Sequence, residues 1–288
     1  MASLPAPGVP TVAPGAPAAD HVLAALRAQY AAIRVREPGV RNGTDPEELH
    51  QMRTAVRRLR ALLRAVRPMF AAGSLTGLRS ELRWLGAVLG AARDADVFRE
   101  YLGMELGAVG ERLLARLDAE RAAAKTRVLA ALDDQRYARL MDHVEETIRR
   151  PRLAAGDVSL PDLAAREFKK VLKAVGTLPK KPGDAELHAV RIKVKRARFT
   201  AELAQAIVGR PAERFAAKAH NVQDILGEHQ DAVVAEQRIG DLLEELDDAE
   251  RAAAARVLGR QRKRRKAALA TFLEEWPKLE RRGAKAWR

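Results

Sequence analysis

Apolar residues recur at alternating steps of three and four along residues 45–67, and this period predicts an amphipathic helix. The positions of this apolar seam are Leu49, Met52, Val56, Leu59, Leu63 and Val66. The preceding segment Asp45-Pro46-Glu47-Glu48 is typical of a helix start, and Pro68 marks the end. We therefore predict a helix here that packs its seam against a partner helix.

A basic row lies one residue further along the same segment. It consists of His50, Arg53, Arg57, Arg60, Arg64 and Arg67. Because successive helical residues are about 100° apart, this row runs beside the apolar seam and not opposite it. No Asp or Glu occurs from residue 49 to residue 80, so the row repels itself unless an anion lies against it. The pattern predicts an anion-binding helix face.

The basic row occurs a second time in the chain. His50, Arg53, Arg57, Arg58 and Arg60 recur 138 residues later as His188, Arg191, Lys195, Arg196 and Arg198. The segment Leu89–Asp94 also recurs, as Leu226–Asp231, at an offset of 137 residues. Two separate segments that keep nearly the same offset indicate a tandem duplication.

Similar periodicity predicts helices through most of the remaining chain. The predicted ranges are residues 20–36, 74–92, 94–106, 111–132, 135–150, 162–175, 184–208, 211–226, 232–246 and 249–276. No alternating run of β-branched residues predicts a sheet. The fold class is therefore all-α, a tandem pseudo-symmetric pair of antiparallel helical bundles of about 130 residues each, since short loops make successive helices antiparallel neighbours.

Local composition sets the expected boundaries. Residues 1–19 contain five prolines and no charge before Asp20, which predicts a disordered arm and lacks the features of a signal peptide. The segment 151–161 is the expected linker between repeat halves 20–150 and 162–276, and residues 277–288 form a basic tail. No apolar run is long enough to span a membrane, so we expect a cytoplasmic protein.

Charge narrows the function further. The formal net charge is +14, which favours an anionic partner, and Arg offers phosphate a planar fork of donors. The chain has no cysteine, which excludes disulfides, thiolate metal sites and cysteine nucleophiles. The placement of the charge in two matching rows supports an anionic partner more strongly than the net charge does.

The duplicated motifs resemble a known family. The patterns His50-x-x-Arg53-x-x-x-Arg57-Arg58-x-Arg60 and Leu89-Gly90-x-x-Arg93-Asp94-x-Asp96-Val97, with their second copies, are similar to the motifs of the conserved-histidine α-helical (CHAD) domains. The resemblance covers about residues 20–276. It implies two helical bundles around a basic central cavity that binds inorganic polyphosphate, in proteins associated with polyphosphate granules. Members occur alone or fused to triphosphate-processing domains, and we expect this chain to stand alone.

The resemblance also extends the candidate site. Arg83 corresponds to a basic position in the third helix of the family; its counterpart is His220, and nearby Lys218 could substitute. Glu202 stands where Arg64 would recur, so we expect an asymmetric channel. The candidate polyphosphate-binding residues are His50, Arg53, Arg57, Arg58, Arg60, Arg64, Arg83, His188, Arg191, Lys195, Arg196, Arg198, Lys218 and His220.

Two other functions fit the same charge. An RNA- or DNA-binding protein is the main alternative, although the rows lack aromatics for base stacking and Phe199 fits the core better. A phosphoryl-transferring enzyme would need a metal at Asp94, Asp96 or Asp231, which we expect instead to cap helices or hold arginines. We therefore expect no enzyme and no cofactor. The basic run 260–266 is expected to be a solvated helix face or an additional anion surface.

Overall fold

The computed structural model describes residues 12–13, 15–106, 110–156 and 158–287. The helices in these ranges are α1 (Ala18–Asn42), α2 (Pro46–Ala65), α3 (Thr76–Leu106), α4 (Glu111–Asp133), α5 (Gln135–Arg149), α6 (Leu160–Gly176), α7 (Asp184–Val208), α8 (Arg210–Leu242) and α9 (Asp248–Ala286). Short 3₁₀ turns follow α2 and α8. Pairing between extended segments in the described ranges is confined to one bridge, Phe70 with Leu153. The predicted all-α class is confirmed.

The chain divides into two compact units. Unit 1 contains the described residues up to Glu100 and those of Leu114–Val158, and unit 2 contains those of Tyr101–Leu113 and from Ser159 onward. The change between units at residue 158 falls within the segment 151–161. Residues 101–106 and 110–113 belong to unit 2, although they precede that segment. The basic central cavity that the resemblance implies stays a prediction.

Unit 1 is organised around the seam of α2. Met52, Val56, Leu59 and Leu63 are all fully buried, while Leu49 at the first turn is half-buried. The Asp45 side chain accepts a hydrogen bond from the Glu47 backbone N–H at 2.8 Å, and Pro46 occupies the first helical position. The start of α2 therefore forms as its sequence predicts.

Helix α1 is longer than predicted. It runs through Pro38, where we expected a break, and ends at Gly43, whose φ of 63° is the left-handed conformation that glycine adopts most easily. The residues around Pro38 are anchored: Val40 is buried, and Tyr137 donates a hydrogen bond to Glu37 at 2.8 Å. These tertiary contacts offset the backbone hydrogen bond that proline removes. Of the predicted arm, residues 1–19, residues 1–11 and 14 lie outside the described residues, and the prediction is wrong for its last two residues because α1 already begins at Ala18.

Helices α3 and α8 are each continuous where two helices were predicted. The predicted break before Asp94 is wrong, because α3 continues to Leu106 with Leu89, Phe98 and Leu102 all buried. The predicted break after Leu226 is wrong for the same reason, since α8 continues to Leu242. Burial of one long apolar face overrides the local acidic residues that would otherwise favour a helix start.

Helix α9 also extends beyond its predicted end. It passes through Pro277 to Ala286, so residues 277–286 of the predicted basic tail are helical and continue α9. Leu279 and Ala286 are buried in the core of unit 2, and Trp287 packs edge-to-face on Phe215 with ring centroids 5.5 Å apart. This apolar packing offsets the cost of a proline inside the helix.

The duplication is visible in the element order but is incomplete. Helices α6, α7 and α8 follow each other as α1, α2 and α3 do, with the basic row on α7 as on α2. Two helices, α4 and α5, follow α3, whereas the single 39-residue helix α9 follows α8. Within the described ranges, no helix combines the length and apolar character needed to cross a membrane.

Candidate anion-binding site

The first basic row lies where α2 packs against α3. If Gly90 carried a Cβ, this atom would lie 3.7 Å from Arg53 Nε; a Cβ at Gly86 would lie 2.9 Å from Arg60 Nη1. Arg53 therefore crosses α3 at Gly90, and Arg60 crosses it one turn earlier, at Gly86. Because the higher-numbered arginine meets the lower-numbered glycine, α2 and α3 run antiparallel here. The two glycines leave room for the guanidinium groups.

Asp94 holds the first of these arginines. Its Oδ1 lies 3.0 Å from Arg53 Nη2, and the carboxylate is mostly exposed. This is the arginine-holding role expected from the sequence, although the capping role is absent because α3 is continuous at this point. An exposed ion pair of this kind contributes little to stability, so its main effect is to orient Arg53.

His50 occupies the start of the first row next to a residue that the candidate set omitted. Burial lowers the pKa of His50, and the nearby Arg93 guanidinium lowers it further. The buried Nδ1 of His50 has no hydrogen-bond partner among the described residues. Arg93 belongs to the second motif of the first repeat, so its basic character in that motif was the available signal. We add Arg93 to the candidate site.

Four cations lie along or beside the outer part of the first row: Arg58, Arg60 and Arg64 on α2, and Arg83 on α3. Arg60 is half-buried, and burial lowers its pKa; the neighbouring Arg64 and Arg83 lower it further. Arg64 and Arg83 are exposed, as is Arg58, which lies one residue beyond Arg57. The charge of Arg83 on α3 therefore acts on the basic row of α2.

The second row repeats the arrangement at the start of the first row. A Cβ at Gly227 of α8 would lie 3.5 Å from Arg191 Nη2, so Arg191 crosses α8 as Arg53 crosses α3 at Gly90. His188 Nδ1 donates a hydrogen bond to Gln230 Oε1 at 2.7 Å. Gln230 stands at the position that Arg93 occupies in the first repeat. The two histidines therefore share a position, but one faces a cation and the other an amide.

The outer part of the second row differs more strongly. Arg198 is only 6% exposed, and its Nε lies 3.2 Å from Glu202 Oε1. The Arg198 guanidinium also lies 4.5 Å from the ring centroid of buried Phe199, and Lys195 Nζ lies 5.8 Å from the same centroid. Phe199 is therefore a core residue that supports two cations of the row, with Arg196 half-buried between them along the helix.

Lys218 and His220 are held by acidic residues. Lys218 forms an ion pair with Glu275 of α9 and donates to Asn221 Oδ1 at 3.1 Å. His220 is exposed, and its Nδ1 lies 2.9 Å from Asp224 Oδ2 on the next turn of α8. The structure thus gives both residues partners within unit 2.

Carboxylates near the second motif are paired rather than clustered. Asp96 forms an ion pair with Arg121 of α4, in the same way that Asp94 pairs with Arg53. Within the part of the chain that the structure describes, no group of three or more potential metal ligands comes together. A cleft of about 360 Å³ lies between α1, α2, α3 and α4, and its cations Arg121 and Lys125 already bind Asp96 and the Gly43 carbonyl.

The basic run 260–266 connects α9 to the rest of unit 2. Arg260 pairs with Glu105, and Arg265 Nη1 lies 3.2 Å from Asp184 Oδ2 at the start of α7. Lys263 and Lys266 are exposed. Part of the run is therefore structural, and the rest is a solvated face.

Comparison with known proteins identifies the family. The CHAD domain model matches residues 24–240. Two uncharacterized proteins of Mycobacterium tuberculosis, from strains CDC 1551 and H37Rv, are 33% identical over 240 residues, which cover 77% of this chain. The chain spans only 45% of the length of these relatives.

Solved structures share the fold. The CHAD domain from the plant Ricinus communis has a TM-score of 0.70 and 27% identity, with 97% of this chain and 96% of that chain covered. PptA from Streptomyces chartreusis has a TM-score of 0.75 at 22% identity, with 91% of this chain and 100% of that chain covered. These proteins carry no enzymatic names. The family match, over the residues that carry both basic rows, shows that the chain belongs to the CHAD domain family.

Proposed function

We propose that this chain binds inorganic polyphosphate, without catalysis, through the basic rows of α2 and α7. The observation that carries the proposal is that in each unit the corresponding arginine lies on the corresponding glycine of the next helix: Arg53 on Gly90 and Arg191 on Gly227. This places a cation beside a histidine at the start of each row. Family membership supports the proposal, because CHAD domains are binding domains for which polyphosphate is the known ligand.

The chemistry of the rows suits a polymer of phosphates. Polyphosphate carries a negative charge along its whole length and presents no base edges, so its recognition depends on charge and shape. Arg forks form charge-assisted and often bidentate hydrogen bonds to phosphate oxygens. Phe199, the aromatic that follows the second row, is buried and offers no stacking platform to a nucleic-acid base.

A binding role also explains the acidic residues of the second motif. Asp94 and Asp96 are each paired with an arginine, which orients cations without presenting a carboxylate pair to a substrate. The same proposal places the protein at polyphosphate granules in the cytoplasm, which microscopy of a fluorescent fusion in polyphosphate-accumulating cells would test.

A competition titration tests the proposal. Fluorescently labelled long-chain polyphosphate is bound to the full chain and then displaced by unlabelled polyphosphate, tRNA or duplex DNA at equal phosphate concentration. We expect polyphosphate to compete at least about tenfold better than either nucleic acid, and the affinity to fall linearly on a log–log plot against salt. Equal or better displacement by tRNA or DNA would instead identify a nucleic-acid-binding protein.

A further inference from the structure

The outer end of the first basic row contains a group of three arginines from α2 and α3, all within unit 1. Arg60 crosses to α3 at Gly86, so its guanidinium lies against the surface of α3. Arg83 lies about one helical turn before Gly86 on α3, and Arg64 lies about one turn after Arg60 on α2. Because α2 and α3 are antiparallel here, Arg64 and Arg83 both lie on the side of Arg60 toward the end of α2, close enough for their charges to act on it, and the three form one group of neighbouring cations. We call them the Arg60–Arg64–Arg83 cluster.

This cluster has no internal compensation for its charge. Among the residues that the structure describes, no carboxylate pairs with Arg60, Arg64 or Arg83. The mutual repulsion is reflected in Arg60, whose pKa is lowered first by burial and then by the two neighbouring arginines. An arrangement of three adjacent cations without an acidic partner is stabilised when an anion binds between them.

The matching positions in unit 2 are neutralised. Arg198 replaces Arg60 and is paired with Glu202, which replaces Arg64. His220 replaces Arg83, and its ring nitrogen faces Asp224. Gln223 stands where unit 1 has Gly86, so the surface that Arg60 occupies on α3 carries a side chain on α8. Charge and shape therefore differ together between the two units.

We propose that the Arg60–Arg64–Arg83 cluster, whose Arg60 lies on Gly86 of α3, is an anion site formed entirely within unit 1. It binds a short linear oligophosphate, and unit 2 has no equivalent site. The proposal rests on the polyphosphate-binding function and adds an asymmetry to it. Three guanidinium forks supply enough donors for the oxygens of adjacent phosphoryl groups. A short oligophosphate needs only this cluster, whereas a long chain also uses the other cations of the rows.

Calorimetric titration of the full chain with inorganic tripolyphosphate at low salt tests this site. Arg64→Glu introduces the residue that unit 2 has at this position, and we expect it to weaken tripolyphosphate binding by about tenfold to a hundredfold, the loss of a charge-assisted contact. Arg127→Glu, an exposed charge reversal on α4, changes the net charge equally and should weaken binding by no more than about twofold. The wild-type titration should fit one tripolyphosphate per chain, because unit 2 has no equivalent site.

Gly86→Gln separates binding from folding. The substitution copies Gln223 of unit 2 and displaces the Arg60 guanidinium, whose Nη1 would lie 2.9 Å from the new Cβ. Because glycine is a poor helix former, this variant should keep or raise the melting temperature while it weakens tripolyphosphate binding by about tenfold. Thermal unfolding followed by circular dichroism gives the first result and calorimetry the second.

The outcomes distinguish this inference from the proposed function. If the wild-type chain fails to bind long-chain polyphosphate, the proposed function is wrong. If it binds long chains but Arg64→Glu weakens tripolyphosphate binding no more than Arg127→Glu, or if two tripolyphosphates bind per chain with similar affinity, only the unit 1 site is wrong. Absence of tripolyphosphate binding by a wild-type chain that binds long chains also overturns the site.

Discussion

Replacement of Gly283 by alanine tests whether the C-terminal turns of α9 belong to the core of unit 2. A Cβ at residue 283 would overlap Phe168 Cζ and lie 2.5 Å from two further atoms of the same ring. The ring also packs edge-to-face on Phe215, so it cannot swing away freely. Overpacking of this kind lowers the free energy of unfolding by about 1–3 kcal/mol, whereas the better helix propensity of alanine raises it by about 1 kcal/mol.

The matched control lies in the same helix. Gly259 has no neighbouring atom within 4 Å of its Cβ position, so Gly259→Ala should stabilise the protein by up to about 1 kcal/mol. We expect Gly283→Ala to lower the melting temperature by about 2–6 °C and Gly259→Ala to raise it slightly, both followed by circular dichroism. If Gly283→Ala is as stable as Gly259→Ala, residues 277–286 do not dock against Phe168, and the extension of α9 beyond Pro277 has no structural role.

Two further predictions concern individual candidate residues. Bound polyphosphate should raise the pKa of His50 above its lowered value in the free protein. Binding therefore takes up a proton, and the affinity increases as the pH falls through these two pKa values. NMR of the His50 ring protons measures the pKa with and without polyphosphate, and an unchanged pKa would remove His50 from the site. Lys218→Met should lower the melting temperature, because it leaves the partly buried Glu275 with one partner fewer. Since the Lys218 ammonium is already paired, we expect polyphosphate affinity to change by less than about twofold, and a larger loss would show that Lys218 contributes to the site.

The sequence predicted helix identity better than helix length. The offset between His50 and His188 and the apolar seam beside each basic row were sufficient to predict an all-α duplication. The ends of α1 and α9 could not be predicted, because Pro38 and Pro277 are local breakers that distant contacts override. Those contacts, such as the packing of Trp287 on Phe215, join residues far apart in sequence.

For the candidate site, the sequence predicted the residues of the rows better than the surfaces and partners that they contact. Helical spacing placed Arg53 and Arg60 in one row, and the resemblance added Arg83. Spacing could not show that Gly86 and Gly90 of the next helix provide the surfaces on which these arginines lie. Nor could it show that Glu202 neutralises Arg198, although the difference between Arg64 and Glu202 indicated an asymmetric site.

The affinity of a double charge-reversal variant for long-chain polyphosphate tests the central claim most directly. Arg57→Glu with Lys195→Glu reverses one cation in each basic row, and Arg127→Glu with Lys169→Glu reverses one exposed cation in each unit outside the rows. Both variants have the same net charge. We predict that the row variant loses at least about a hundredfold in affinity, whereas the control variant loses no more than about threefold. Equal affinities in the two variants would contradict binding through the rows and leave only the overall charge of the protein as the cause.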